Sequence, residues 1–65
     1  MRKNIELKVA IIRADKSELE IAREAKMNYT RLSQIINGWV RPSEREVGVI
    51  CEVLKMDRGK LFPNV

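Results

Sequence analysis

Residues 17–38 read SELEIAREAKMNYTRLSQIING. Ser17 with Glu20 three positions later is the pattern in which a hydroxyl and a carboxylate close a helix start reciprocally. Ile21, Ala22 and Ala25 then share one side of that helix. Asn28 is a second start signal, just ahead of Tyr29, and Gly38 after Asn37 is a helix-ending glycine. The stretch therefore predicts a helix over 18–25, a tight turn over 26–28 and a helix over 29–37. In length and pattern that is a helix-turn-helix.

The flanks extend the same pattern. Ser43-Glu44-Arg45-Glu46 repeats the capping signal directly after Pro42. Asp57 stands where it can cap a last short turn that Pro63 stops. Segments over 4–14, 44–55 and 58–62 complete a set of five. Leu7, Ala10, Ile11 and Ala14 carry helical spacing in the first, and Val47, Ile50, Cys51 and Leu54 in the fourth. Met27, Met56, Leu61 and Phe62 are expected to close the core. No strict alternation runs long enough for a strand. The expected fold is all-α, a compact five-helix domain occupying residues 1–65.

Length and composition agree. Sixty-five residues make one small domain, 45% apolar with three aromatics. One cysteine and no histidine exclude an internal disulfide framework, a Cys/His zinc site and histidine-based catalysis. No apolar run reaches the roughly 18 residues of a membrane span. The net charge is +4, and it is uneven: +3 over 1–16, −1 over 17–27, +2 over 28–45 and zero over 46–65. Such a balance suits an anionic partner, although charge alone does not separate that from a solvated surface.

The segment 29–37 divides by face. Leu32, Ile35 and Ile36 fall on one side; Thr30, Ser33, Gln34 and Asn37 fall on the other at i, i+3, i+4, i+7. The second face has no Asp, Glu or Lys. Carboxamides and hydroxyls are groups that hydrogen-bond base edges, and a face without carboxylates avoids repulsion by phosphate. A merely polar solvent face is the plain alternative. Arg31, Arg41 and Arg45 lie close by as phosphate clamps, which set register without reading sequence.

From Ser17 to Gly38, with Pro42-Ser43 and Met56-Asp57-Arg58-Gly59-Lys60-Leu61-Phe62, the chain resembles the Cro/lambda-repressor (XRE-type) helix-turn-helix family. The likeness covers about residues 4–62. It rests most on Ala22, the Ile/Leu positions of the third helix, Asn37-Gly38, Pro42-Ser43 and Leu61-Phe62. The resemblance implies a five-helix lambda-repressor-like DNA-binding domain whose third helix enters the major groove. By position, Tyr29, Thr30, Ser33 and Gln34 would face bases or nearby phosphates. Asn37 and the loop Gly38 to Arg41, with Trp39, would touch the backbone. The amides at Glu18 would point at a phosphate.

The chain departs from the family pattern in places. Glu18 stands where the family usually has Gln, and Lys26 where the turn normally holds Gly, so a non-glycine residue is expected at positive φ. Lys16 replaces a common apolar residue and is expected to snorkel. Ile11 and Ile36 stand where many members pair an Arg with a Glu, and are expected to touch as packed aliphatics. Trp39 either lies on a sugar-phosphate edge or covers an apolar gap. Cys51 is expected to be structural. Asn28-Tyr29-Thr30 spells a glycosylation acceptor but is read as a helix cap. Gly48 is expected at a close helix contact. Ile5, Val9 and Ile12 form a second stripe and Val49 and Val53 a smaller one; either is covered or serves self-association, and the expectation is burial of the first under the C-terminal turn with Phe62, with Val49 and Val53 as dimer candidates.

The functional expectation is a sequence-specific double-stranded DNA-binding regulator, repressor-like, cytoplasmic in a bacterium or phage-infected cell. It would act as a homodimer over two half-sites about one helical turn apart. The alternative is a protein-interaction module, an antitoxin or adaptor on the same fold. No enzymatic activity, metal or cofactor is expected, because no nucleophile–base pair or metal cluster stands out.

Overall fold

The computed structural model describes residues 3–63. Among them are five helices and no strand: α1 (Ile5–Arg13), α2 (Glu18–Glu24), α3 (Tyr29–Ile36), α4 (Glu44–Leu54) and α5 (Arg58–Leu61). None is long and apolar enough to cross a membrane. Arg2, one of the N-terminal charges, lies outside the described residues.

The start signals act as the sequence predicts. Ser17 and Ser43 each accept from the backbone N–H three residues on, and Glu20 and Glu46 each accept from the capping residue's own N–H. Asn28 Oδ1 accepts from Thr30 N–H at 2.8 Å, which makes Asn28 a cap. Asp57 precedes α5 but its side chain makes no capping bond.

One start signal went unread. Asn4 Oδ1 accepts from Leu7 N–H at 3.0 Å and caps α1. Asn4 Nδ2 donates to Leu61 O at 2.8 Å, and Asn4 N–H donates to Ile36 O at 2.7 Å. A single asparagine thus joins the start of α1 to the ends of α3 and α5.

Helix ends explain four residues at positive φ. Lys26 (φ 56°) and Gly38 (φ 77°) each follow a helix whose closing amides bond back to earlier carbonyls. Lys26 and Met27 donate to Arg23 O and Ala22 O; Gly38 and Trp39 donate to Ile35 O and Gln34 O. Lys55 (φ 55°) ends α4 in the same way. Asp15 (φ 58°) follows α1.

The core joins one face of each helix: Leu7, Ala10 and Ile11; Ile21 and Ala22; Leu32, Ile35 and Ile36; Val47 and Ile50; Leu61 and Phe62. Ile11 and Ile36 are both buried in this cluster, with α1 packed on α3. Met27, Cys51, Val53 and Leu54 pack against it from the edge. An eight-residue helix such as α3 is marginal alone. Burying Leu32, Ile35 and Ile36 contributes roughly 1.5–3 kcal/mol per side chain and holds it in place.

Several expectations are corrected. Ile5, Val9 and Ile12 are not covered: they are 55%, 38% and 67% exposed. Leu61 and Phe62 turn into the cluster that holds Leu7, Ala10 and Ile11, which leaves the opposite side of α1 bare. Ala14 is exposed because α1 ends there and the chain turns through Asp15. Met56 is also exposed, just beyond the left-handed Lys55. A methyl group on Gly48 would meet nothing within 4 Å, so no close helix contact demands this glycine.

Candidate nucleic-acid interface

The outer face of α3 is built by subtraction. Burial of Leu32, Ile35 and Ile36 takes the aliphatic side inward, so Thr30 is exposed and Ser33, Gln34 and Asn37 are half-buried at the surface. None of these four belongs to the core, where no polar or charged residue is buried. Asn37 Nδ2 turns back to donate to Ser33 O at 2.9 Å and Ser33 Oγ at 3.4 Å. That contact orients Ser33 and leaves the Asn37 Oδ1 as an acceptor. The face carries no acidic residue in its first turn and no basic residue in its last.

Tyr29 is 47% exposed at the start of α3. It shares a recess of about 490 Å³ with Ser17, Glu18 and Leu19. Leu19, also 47% exposed, was not singled out in the sequence. Its position offered the signal: two residues before Ile21 is 200° around the helix, away from the buried face. Glu18, the unusual carboxylate at the head of α2, is drawn toward α1, with its Oε2 3.7 Å from Lys8 Nζ. Pairing so far apart in sequence leaves no local mark. Lys16 reaches Glu24 at 2.8 Å and spans α2 along its length.

The arginines divide in role. Arg31 was expected to clamp phosphate, but its guanidinium is engaged within the fold. Nε donates to Glu46 Oε2 at 2.7 Å, Nη2 to Glu46 Oε1 at 2.9 Å, and Nη2 also to Arg41 O at 3.3 Å. Glu46 also closes the capping box of α4, its Oε1 accepting from the N–H of the capping residue Ser43 at 2.7 Å. Arg31 therefore ties α3 to the start of α4 and to the loop between them. The Arg31 hydrogen bonds hold the Glu46 carboxyl down at about 2, against the burial that raises it. Arg41 and Arg45 are exposed, and among the described residues neither forms an ion pair. Arg58 pairs with Glu44, the first residue of α4, which lowers the Glu44 carboxyl.

Trp39 covers no gap in the core. It is 66% exposed on the loop after α3, between the helix-ending Gly38 and Arg41. Thr30, Ser33, Gln34, Trp39 and Arg41 are thus held by one helix and its following loop, and the Arg31 contact to Arg41 O braces that loop. Cys51 stays half-buried at the core edge, where burial raises its thiol. Comparison with protein-family models, with curated proteins and with solved structures finds no match to this chain.

Proposed function

We propose that the chain is a sequence-specific double-stranded DNA-binding regulator, in the manner of the Cro/lambda-repressor proteins it resembles. Helices α2 and α3 act as the helix-turn-helix, and α3 lies in the major groove. The observation that carries this reading is the uncharged, hydrogen-bonding outer face of Thr30, Ser33, Gln34 and Asn37 above a fully apolar inner face. Gln34 is suited to bond adenine bidentately, and Ser33 and Thr30 to serve several base edges. Trp39 and the exposed Arg41 follow the helix and supply backbone contacts that position it. Two copies read two half-sites about one helical turn apart.

The test is a random-site selection from a duplex library, followed by footprinting of the selected sequence. An enriched motif protected over two half-sites supports the reading. A library with no enriched motif, even at low salt, overturns it.

A second reading is favoured by a different observation. Ile5 and Ile12 are more than half exposed on α1, and Glu18 sits at the head of α2. Both features fit a protein-interaction module, an antitoxin or adaptor, on the same fold. A salt titration with nonspecific duplex separates the two. DNA binding that falls steeply with salt belongs to the first reading, and no binding at low salt belongs to the second.

A further inference from the structure

Helix α1 has two apolar faces, and among the described residues only one is covered. Leu7, Ala10 and Ile11 face the core. Ile5, Val9 and Ile12 form the opposite stripe, and Ile5 and Val9 border a groove of about 370 Å³ closed by Met56 and the stem of Lys60, which adds a second cation beside Arg13. Such a stripe on a domain this small is unusual without something to cover it.

The charges beside the stripe indicate the cover. Glu6 and Arg13 flank it on the groove side, seven residues or roughly 10.5 Å apart along the axis. Among the described residues neither forms an ion pair, whereas Lys8 on the other flank is held by Glu18. Opposite charges at opposite ends of one helix make a surface that is its own complement when turned end for end. Two α1 helices packed antiparallel about an axis near Val9 set each Ile5 beside Ile12 of the second copy. They set each Glu6 against Arg13 of the second copy. Val9 is the smallest side chain of the stripe and lies where the helices cross most closely. A parallel two-fold pairing would set the Glu6/Arg13 flank of one copy against the Lys8 flank of the other, where Glu6 does not reach Arg13 and Lys8 is already held by Glu18.

We infer that the Ile5–Val9–Ile12 face of α1 is the self-association surface of this protein, pairing antiparallel with a second copy. The other candidate face, Val49 and Val53, offers less apolar surface, because both are half-buried and Val53 packs against the core. The inferred surface is small, which places the dimer at the weak end of specific interfaces, below roughly 1,200 Å² in total. The pairing stands apart from the DNA reading, because it is measured without nucleic acid.

Sedimentation equilibrium of the full chain, from micromolar to millimolar, reports the association. The expected result is a monomer–dimer equilibrium that Ile12→Asp weakens by at least about tenfold. Glu6→Arg and Arg13→Glu should each weaken it as well, and an equimolar mixture of those two variants should restore it as a heterodimer. Ile12, Glu6 and Arg13 lie outside the core, and unchanged far-ultraviolet circular dichroism checks that each variant stays folded. A wild-type chain that is monomeric at millimolar concentration overturns the inference and leaves the stripe to another partner. A dimer indifferent to Ile12→Asp, or charge variants that fail to recombine, overturns it too.

Discussion

Arg31 and Glu46 meet side on, with Nε and Nη2 of one guanidinium on the two oxygens of one carboxylate, across the junction of α3 and α4. The same carboxylate caps α4 through Ser43 N–H, and the same guanidinium reaches Arg41 O. The pose of α3 therefore depends on a charged contact as well as on buried aliphatics.

That contact predicts acid sensitivity. Glu46 is held at about 2 in the folded chain, below the ordinary value of about 4.3 that it regains on unfolding. Because the folded value is the lower one, the pair's stabilisation is fully present above about pH 4.5 and is lost as pH falls towards 2. The Glu46 side chain is 14% exposed and that of Arg31 36%, so solvent screens part of the effect. The loss is on the order of 1–2 kcal/mol. Glu46→Gln keeps an acceptor for Ser43 and removes the charge. Urea midpoints should place the variant below wild type at pH 7 and close most of that gap near pH 2.5. An equal gap at both pH values would rule the ion pair out as its cause.

Asn4 offers a second prediction. Asn4→Ala removes the cap of α1 and the donor to Leu61 O together, and should cost on the order of 1–3 kcal/mol. Asn4→Asp keeps the capping oxygen and removes only the amide donor. Its loss should be smaller and should concentrate in α5. Amide exchange at Phe62, whose N–H bonds Arg58 O at 2.7 Å, reads that directly. An Asn4→Asp variant as stable as wild type would deny the bond to Leu61 any part.

Three positions invite stabilisation. Gly48 lies inside α4 with open space around its missing methyl, so Gly48→Ala should raise stability by about 0.5–1 kcal/mol. Lys26 and Lys55 hold left-handed conformations that glycine adopts freely, and Lys26→Gly or Lys55→Gly should each gain up to about 1 kcal/mol. The sites share no helix end, so Gly48→Ala and Lys26→Gly should add. Thermal melts at pH 7 give the three values. A lower midpoint for Lys26→Gly would mean that the lysine side chain makes up for its backbone conformation.

What could be read from the residues was mostly local. Ser17, Asn28, Ser43 and Gly38 mark their helix ends because caps act within three or four residues, and periodicity picks out Leu32, Ile35 and Ile36 as the buried side of α3. Contacts across the fold were not legible. Asn4 reaches a carbonyl 57 positions away, and Arg31 finds Glu46 15 positions on. The stripe of Ile5, Val9 and Ile12 was visible as a stripe, but periodicity says which residues share a face and not whether anything packs on it.

The outer face of α3 yields the prediction that separates the proposed roles most cleanly, because Gln34, Arg41 and Arg31 should fail differently. Gln34 sits half-exposed on the uncharged face, so Gln34→Ala should cost roughly 1–3 kcal/mol on the preferred site and relax the preference at one base pair. Arg41 is exposed on the loop and contacts no base in this reading. Arg41→Ala should weaken all sequences alike and flatten the dependence of log K on log salt by about one unit. Arg31 is committed to Glu46, so Arg31→Ala should lower the unfolding midpoint while the salt slope of the folded fraction stays as it was. Fluorescence anisotropy on the selected duplex and on single-base variants, at three salt concentrations, measures all three. If Gln34→Ala weakened every duplex equally, α3 would be positioning the protein rather than reading the sequence. If Arg31→Ala alone lowered the salt slope, its guanidinium would leave Glu46 for phosphate on binding.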